Sequence, residues 1–141
     1  MTEAERDATQ LSDDDRRDLI DLMTEYVWRL DHRSADRVHE LVTEDVSMAP
    51  GPLVGRDAVK AWGKERAAAI RATSHLMTNF RFHVVDADRV ECTSMALVFR
   101  HDGADMGKAS PYAVTEYNDI FVRQGGTWKF ASHVTTDFFS G

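Results

Sequence analysis

Two side chains at the end of the first apolar pattern carry groups able to move protons, Tyr26 and Asp31 in the stretch EYVWRLD. A buried carboxylate without a partner is costly, so Asp31 must reach water, meet a partner from elsewhere in the chain or take part in chemistry. A second set lies in TEYNDIFVR, where alternation puts Thr115, Tyr117, Asp119 and Phe121 on one strand face and Glu116, Asn118, Ile120 and Val122 on the other. Only one of these sets lines an interior. Asp119 is there either as a second acid/base or as the pairing partner of a neighbouring strand. His39 and His83 show no ligand spacing with each other or with a carboxylate pair, and no metal site is expected. The single cysteine, Cys92, has no companion for a metal site or an internal disulfide.

The elements that must position these groups are legible from periodicity. Ser12 offers a helix cap, and Asp13, Asp14 and Asp15 suit the positive helix N-terminus as a solvated cap region. Leu19, Met23, Tyr26, Val27 and Leu30 then recur at helical spacing as far as Asp31, with Trp28 pointing away. A second short helix is expected over 34–42, and a third over about 56–72, RDAVKAWGKERAAAIRA. Between them TEDVSMAPGPLVG reads as a short strand and a turn-rich connection. From Ser74 onward β-branched and aromatic residues alternate in four runs, HLMTNFRFHVVD, VECTSMALVFRH, YAVTEYNDIFVRQ and WKFASHVTTDFF. The tight QGGT turn joins the last two, which predicts an antiparallel meander. Helices first and antiparallel strands afterwards indicate an α+β domain, the helices covering one face of a strongly curved sheet and enclosing a pocket. Met48, Met77, Met95 and Met106 with Phe80, Phe82, Trp62 and Phe121 either line that pocket or fill the core.

Length and composition narrow the classes. At 141 residues, 43% apolar and 29% charged, the chain fits one folded domain over residues 12–141 after a mobile tail of residues 1–11. A net charge of −7 without a dense Lys/Arg cluster argues against nucleic acid, and a neutral or apolar small molecule suits it better. No stretch reaches the apolar length of a bilayer span and the start lacks a secretion signal, so no membrane partner and a cytoplasmic home are expected.

Laid out in order, EYVWRLDHRSADRVHELVTEDV, GRDAVKAW, TSHLMTNF and GGTWKFASHVTTDF resemble a nuclear-transport-factor-2-like domain of the SnoaL-like group over roughly residues 12–139. The resemblance implies three N-terminal helices packed on a strongly curved, mainly antiparallel sheet, a cone-shaped pocket, and commonly a homodimer or higher homo-oligomer. Within the group the scytalone dehydratase and bile-acid dehydratase branch is the nearest in its site residues: a tyrosine and an aspartate on the first helix and a histidine at the start of the first long strand, matched by Tyr26, Asp31 and His75. On this resemblance His75 is the acid/base, Asp31 its orienting carboxylate and Tyr26 the group that polarises oxygen. Tyr117, Asp119 and His133 are candidate substrate-binding residues at positions the resemblance picks out, and Trp62, Met77 and Phe121 join them from the apolar set above. The activity implied is a dehydratase or isomerase without cofactor, acting on a hydrophobic cyclic or polyketide-like small molecule. Two departures stand against it: His133 occupies a place where many relatives carry arginine, and Ser94 to Val98 offer only a hydroxyl where the dehydratases place a mid-strand histidine or acid. The alternatives are a non-catalytic binding or assembly module, and an epoxide hydrolase or cyclase, for which Arg100 with Asp119 is the nearest relay.

Overall fold

The computed structural model describes residues 10–103 and 110–140; residues 1–9 of the expected tail and Met106 lie outside the described residues, while Leu11, expected in the tail, packs against the core. Helix α1 spans Asp13–Asp31, capped by the Ser12 hydroxyl, which accepts from the Asp15 amide. Its buried stripe is Leu19, Met23, Tyr26, Val27 and Leu30, the five positions that periodicity singles out, and Trp28 is exposed. The second helix is a 3₁₀ segment, Ala35–Leu41, burying Ala35, Val38 and Leu41. Helix α2, Arg56–Ala68, stops short of the expected residue 72 because Ala69 turns extended and Ala72 already pairs with His101 in the sheet.

Strands β1 (Val42–Ala49), β2 (Leu53–Val54), β3 (Ala72–Asp86), β4 (Arg89–His101), β5 (Ser110–Gln124) and β6 (Thr127–Ser140) form one mixed sheet in the order β2-β1-β6-β5-β4-β3. The four-strand meander is as expected, and β1 extends it by pairing parallel to β6. The β5–β6 turn is closed by Gly125 and Gly126 at φ 57° and 80°, a left-handed pair that matches the twist of a tight hairpin. A bulge between Thr78 and Arg81, with Asn79 at φ 58°, bends β3 around the helices. The interior faces of β4, β5 and β6 carry Val90, Cys92, Ala96, Tyr117, Phe121, Trp128 and Phe130 against α1.

Two contacts fix the helices, one to each other and one to the sheet. Gly63 of α2 lies against the backbone of Ala35, so close that a Cβ there would stand 2.1 Å from the Ala35 carbonyl oxygen. At the other end the Asp15 carboxylate receives two N–H groups of Arg123 at 2.9 and 3.0 Å and the Trp128 indole at 3.3 Å. The acidic cap is thus only partly a solvated face, and Asp15 is a tether between α1 and the β5–β6 hairpin. Its hydrogen bond with Arg123 is the largest cause holding the Asp15 carboxyl below its ordinary range, against the opposing effect of burial. Asp15→Asn is expected to lower stability by about 1–2 kcal/mol, read as a lower urea midpoint at unchanged slope.

Candidate active site

Asp31 ends α1 and points at the first inward positions of β3. Its Oδ1 accepts from His75 Nδ1 at 2.6 Å and from the Thr73 hydroxyl at 2.8 Å, and its Oδ2 accepts from the His75 backbone N–H at 2.9 Å. Thr73 and His75 share a sheet face by alternation, which is why one carboxylate collects both. Both side chains of the Asp31–His75 pair are largely buried, at 13% and 10% exposure. A carboxylate against Nδ1 places the ring proton on that nitrogen and leaves Nε2 as the lone-pair atom.

Burial by itself raises the Asp31 carboxyl, but the hydrogen bond, charge and backbone N–H of His75 with the Thr73 hydroxyl outweigh it and hold the group below its usual range. The folded value lies under the unfolded one, so the stability this contributes is complete above the unfolded value near 3.8 and is lost as pH falls through the folded value. The gap in urea midpoint between the protein and Asp31→Asn is therefore expected to be widest at neutral pH and to close below about pH 4.

His75 and Thr73 lie on the wall of a cavity of about 220 Å³, with Leu30 of α1, Trp62 and Arg66 of α2, and Thr115 and Tyr117 of β5. A larger depression of about 540 Å³ lies by Asn118, Ile120 and Ser132, which alternate with the inward residues; His83 and Glu91 on its rim share no hydrogen bond among the described residues. Trp62 and Tyr117 thus reach the cavity. Tyr26 stands elsewhere, its ring 5.0 Å from that of His133 and 5.3 Å from that of Phe130. Asp119 is paired with His133, Nδ1 to Oδ1 2.5 Å, behind Tyr26 and Tyr117. Phe121 packs on Phe130 in the core, and Met77 is half-buried against the core. Arg100 bonds Asp102 at 2.9 Å, so the relay of Arg100 with Asp119 is not formed. The residues that sequence reasoning passed over are Thr73, Arg66, Arg71 and Asp137. Two of them had a signal: Thr73 is two before His75 on a strand, and Arg66 is four after Trp62 on a helix.

Burial is the largest cause raising the phenols of Tyr26 and Tyr117, with the Asp119 charge adding to both. Both are therefore protonated donors at neutral pH. Neither hydroxyl has a hydrogen-bond partner among the described residues.

The SnoaL-like domain family model matches residues 13–134. The chain belongs to the SnoaL-like domain family. No curated protein matches it. Among solved structures this SnoaL-like domain is similar to a candidate scytalone dehydratase from Novosphingobium aromaticivorans, at 23% identity and TM-score 0.79 over 89% of this chain and 85% of the other. It is also similar to a type 2 hexachlorocyclohexane dehydrochlorinase, LinA, at 18% identity and TM-score 0.74 over 89% and 86%. ActVI-ORFA from Streptomyces coelicolor aligns at 18% identity and TM-score 0.74 over 87% and 96%. Likeness at these identities speaks for the fold. It places the SnoaL-like domain, an α+β unit with helices on a curled sheet, among nuclear-transport-factor-2-like structures.

Proposed function

We propose that the protein is a dehydratase or isomerase that needs no cofactor and abstracts a proton beside a carbonyl of a small cyclic substrate. The observation that carries this is the His75 imidazole, held by Asp31, on the wall of a cavity. Asp31 holds the imidazole in the Nδ1–H tautomer and supports the cation that forms when Nε2 takes the proton. Tyr117, on the same wall, supplies an O–H donor for the enolate oxygen, whereas Tyr26 packs on His133 and Phe130 away from that wall. Return of the proton to a departing β-hydroxyl completes a dehydration, and its return to a different carbon completes an isomerisation. The names of two fold neighbours support the class, since dehydration and dehydrochlorination are both eliminations.

The test does not need the natural substrate. Incubation with 1-tetralone and cyclohexanone in deuterated buffer reports proton abstraction directly, as mass gain at the carbon beside the carbonyl. Exchange above the buffer rate, lost in His75→Ala, is the expected result; exchange at the buffer rate for a series of such ketones would count against the proposal. Tyr117→Phe is expected to slow the exchange about 10²-fold, the worth of one positioned oxyanion donor.

A further inference from the structure

The mouth of the same cavity is lined by three guanidinium groups, those of Arg66, Arg71 and Arg100. They come from separate elements: the last turn of α2, the connection into β3, and the end of β4. For a chain of net charge −7 this convergence needs a reason. Arg71 and Arg100 share one carboxylate, Asp102, at 3.3 and 2.9 Å. Arg66 makes no ion pair among the described residues, and it donates one N–H, from Nη2 to the Thr73 hydroxyl at 3.0 Å. Burial lowers its affinity for a proton and the Arg71 and Arg100 charges lower it further, with Asp31 opposing. A half-buried guanidinium pressed by two like charges is a group that lacks an anion.

The local charge balance says which anion. Asp31 is committed to His75 and Thr73, and Asp137, the other carboxylate on the wall, accepts from Thr115 at 2.7 Å. Three guanidiniums therefore meet three carboxylates, Asp31, Asp102 and Asp137, with no excess of positive charge that would favour a dianion over a monoanion. The planar fork of arginine matches a carboxylate in two-point contact. Arg66 also touches Thr73, which touches Asp31, so the site for the anion and the imidazole adjoin along one hydrogen-bonded chain.

We propose that the cavity mouth binds a carboxylate borne by the substrate, with Arg66 as its main anchor and Arg71 and Arg100 flanking it, so that the protein acts on a small cyclic carboxylic acid rather than a neutral molecule. The proposal rests on the reading above only for where the reacting carbon lies; the carboxylate site itself does not depend on proton transfer. A volume of about 220 Å³ suits one ring or a compact pair of rings.

The experiment is calorimetric titration of the intact protein with benzoate, phenylacetate, cyclohexanecarboxylate and 1-naphthoate, each beside its methyl ester, and with phenyl phosphate. At least one acid is expected to bind about tenfold or more tightly than its own ester, with affinity falling as salt is raised. Arg66→Gln is expected to bring that ratio close to one and Arg71→Gln to reduce it. Circular dichroism and urea midpoints check that each variant is folded, and Arg71→Gln serves where Arg66→Gln is not. No acid preferred over its ester, a preference that survives Arg66→Gln with Arg71→Gln, or phenyl phosphate bound more tightly than every acid overturns the assignment. Loss of deuterium exchange with the acid preference intact would instead strike the proton-transfer reading and leave this site standing.

Discussion

Replacing His75 by alanine is expected to lower turnover, or deuterium exchange into a cyclic ketone, about 10³-fold, the scale of a positioned general base. Asp31→Asn should lose nearly as much for a different reason. An amide at that position can offer an N–H to Nδ1, which moves the ring proton to Nε2 and removes the lone pair that takes the substrate proton. Because both residues act through one imidazole, their effects should not add: the double variant should be no slower than His75→Ala alone. Thr73→Val, which removes only the third donor to the Asp31 carboxylate, should sit between the wild type and Asp31→Asn. Rates in the single variants within a few-fold of wild type, or losses that multiply in the double variant, would remove His75 and Asp31 from the mechanism.

Gly63→Ala is expected to be the most damaging single methyl added to the fold. Alanine for glycine inside a helix ordinarily stabilises by ~1 kcal/mol. Here the new Cβ would stand 2.1 Å from a backbone carbonyl oxygen of Ala35, and neither backbone can rotate out of the way as a side chain does. Overpacking costs about 1–3 kcal/mol or more, so the sign reverses, with a net loss of about 1–2 kcal/mol and a melting temperature lower by roughly 5 °C. The damage should reach the cavity as well, because Trp62 and Arg66 flank Gly63 on α2 and move with it. A melting temperature equal to or above that of the wild type would mean that α2 and the 3₁₀ segment lie farther apart than described.

The fold was readable to the extent that burial is periodic. The α1 stripe follows from spacing alone, because the helix buries one side; in β5 alternation separates the two faces without saying which is inward, and the structure buries Thr115, Tyr117, Asp119 and Phe121. The end of α2 was not readable, since AAAIRA favours helix locally and only the pairing of Ala72 and Thr73 with β4 pulls the chain extended. Asp31 was legible as a carboxylate in want of a partner; that the partner is His75 followed from a family resemblance, as nothing local joins residues 44 positions apart. The arginine mouth escaped for a related reason. Arg66, Arg71 and Arg100 are unremarkable in their own segments, and their shared surroundings exist only once α2, β3 and β4 have met. Asp15 shows the converse, a residue whose helix-capping position explains it well enough to hide its longer-range tie to Arg123.

Cys92 is buried in β4, and burial, with the Asp119 charge adding to it, pushes its thiol up to about 12. At neutral pH it holds its proton and meets no reagent. Since it is the chain's one cysteine, a second introduced at the exposed Tyr112 beside Arg100 would be the sole thiolate within reach of a maleimide or nitroxide. The folded protein thus comes ready for site-directed labelling, so a probe beside the arginines can report ligand entry without first stripping a native thiol from the interior.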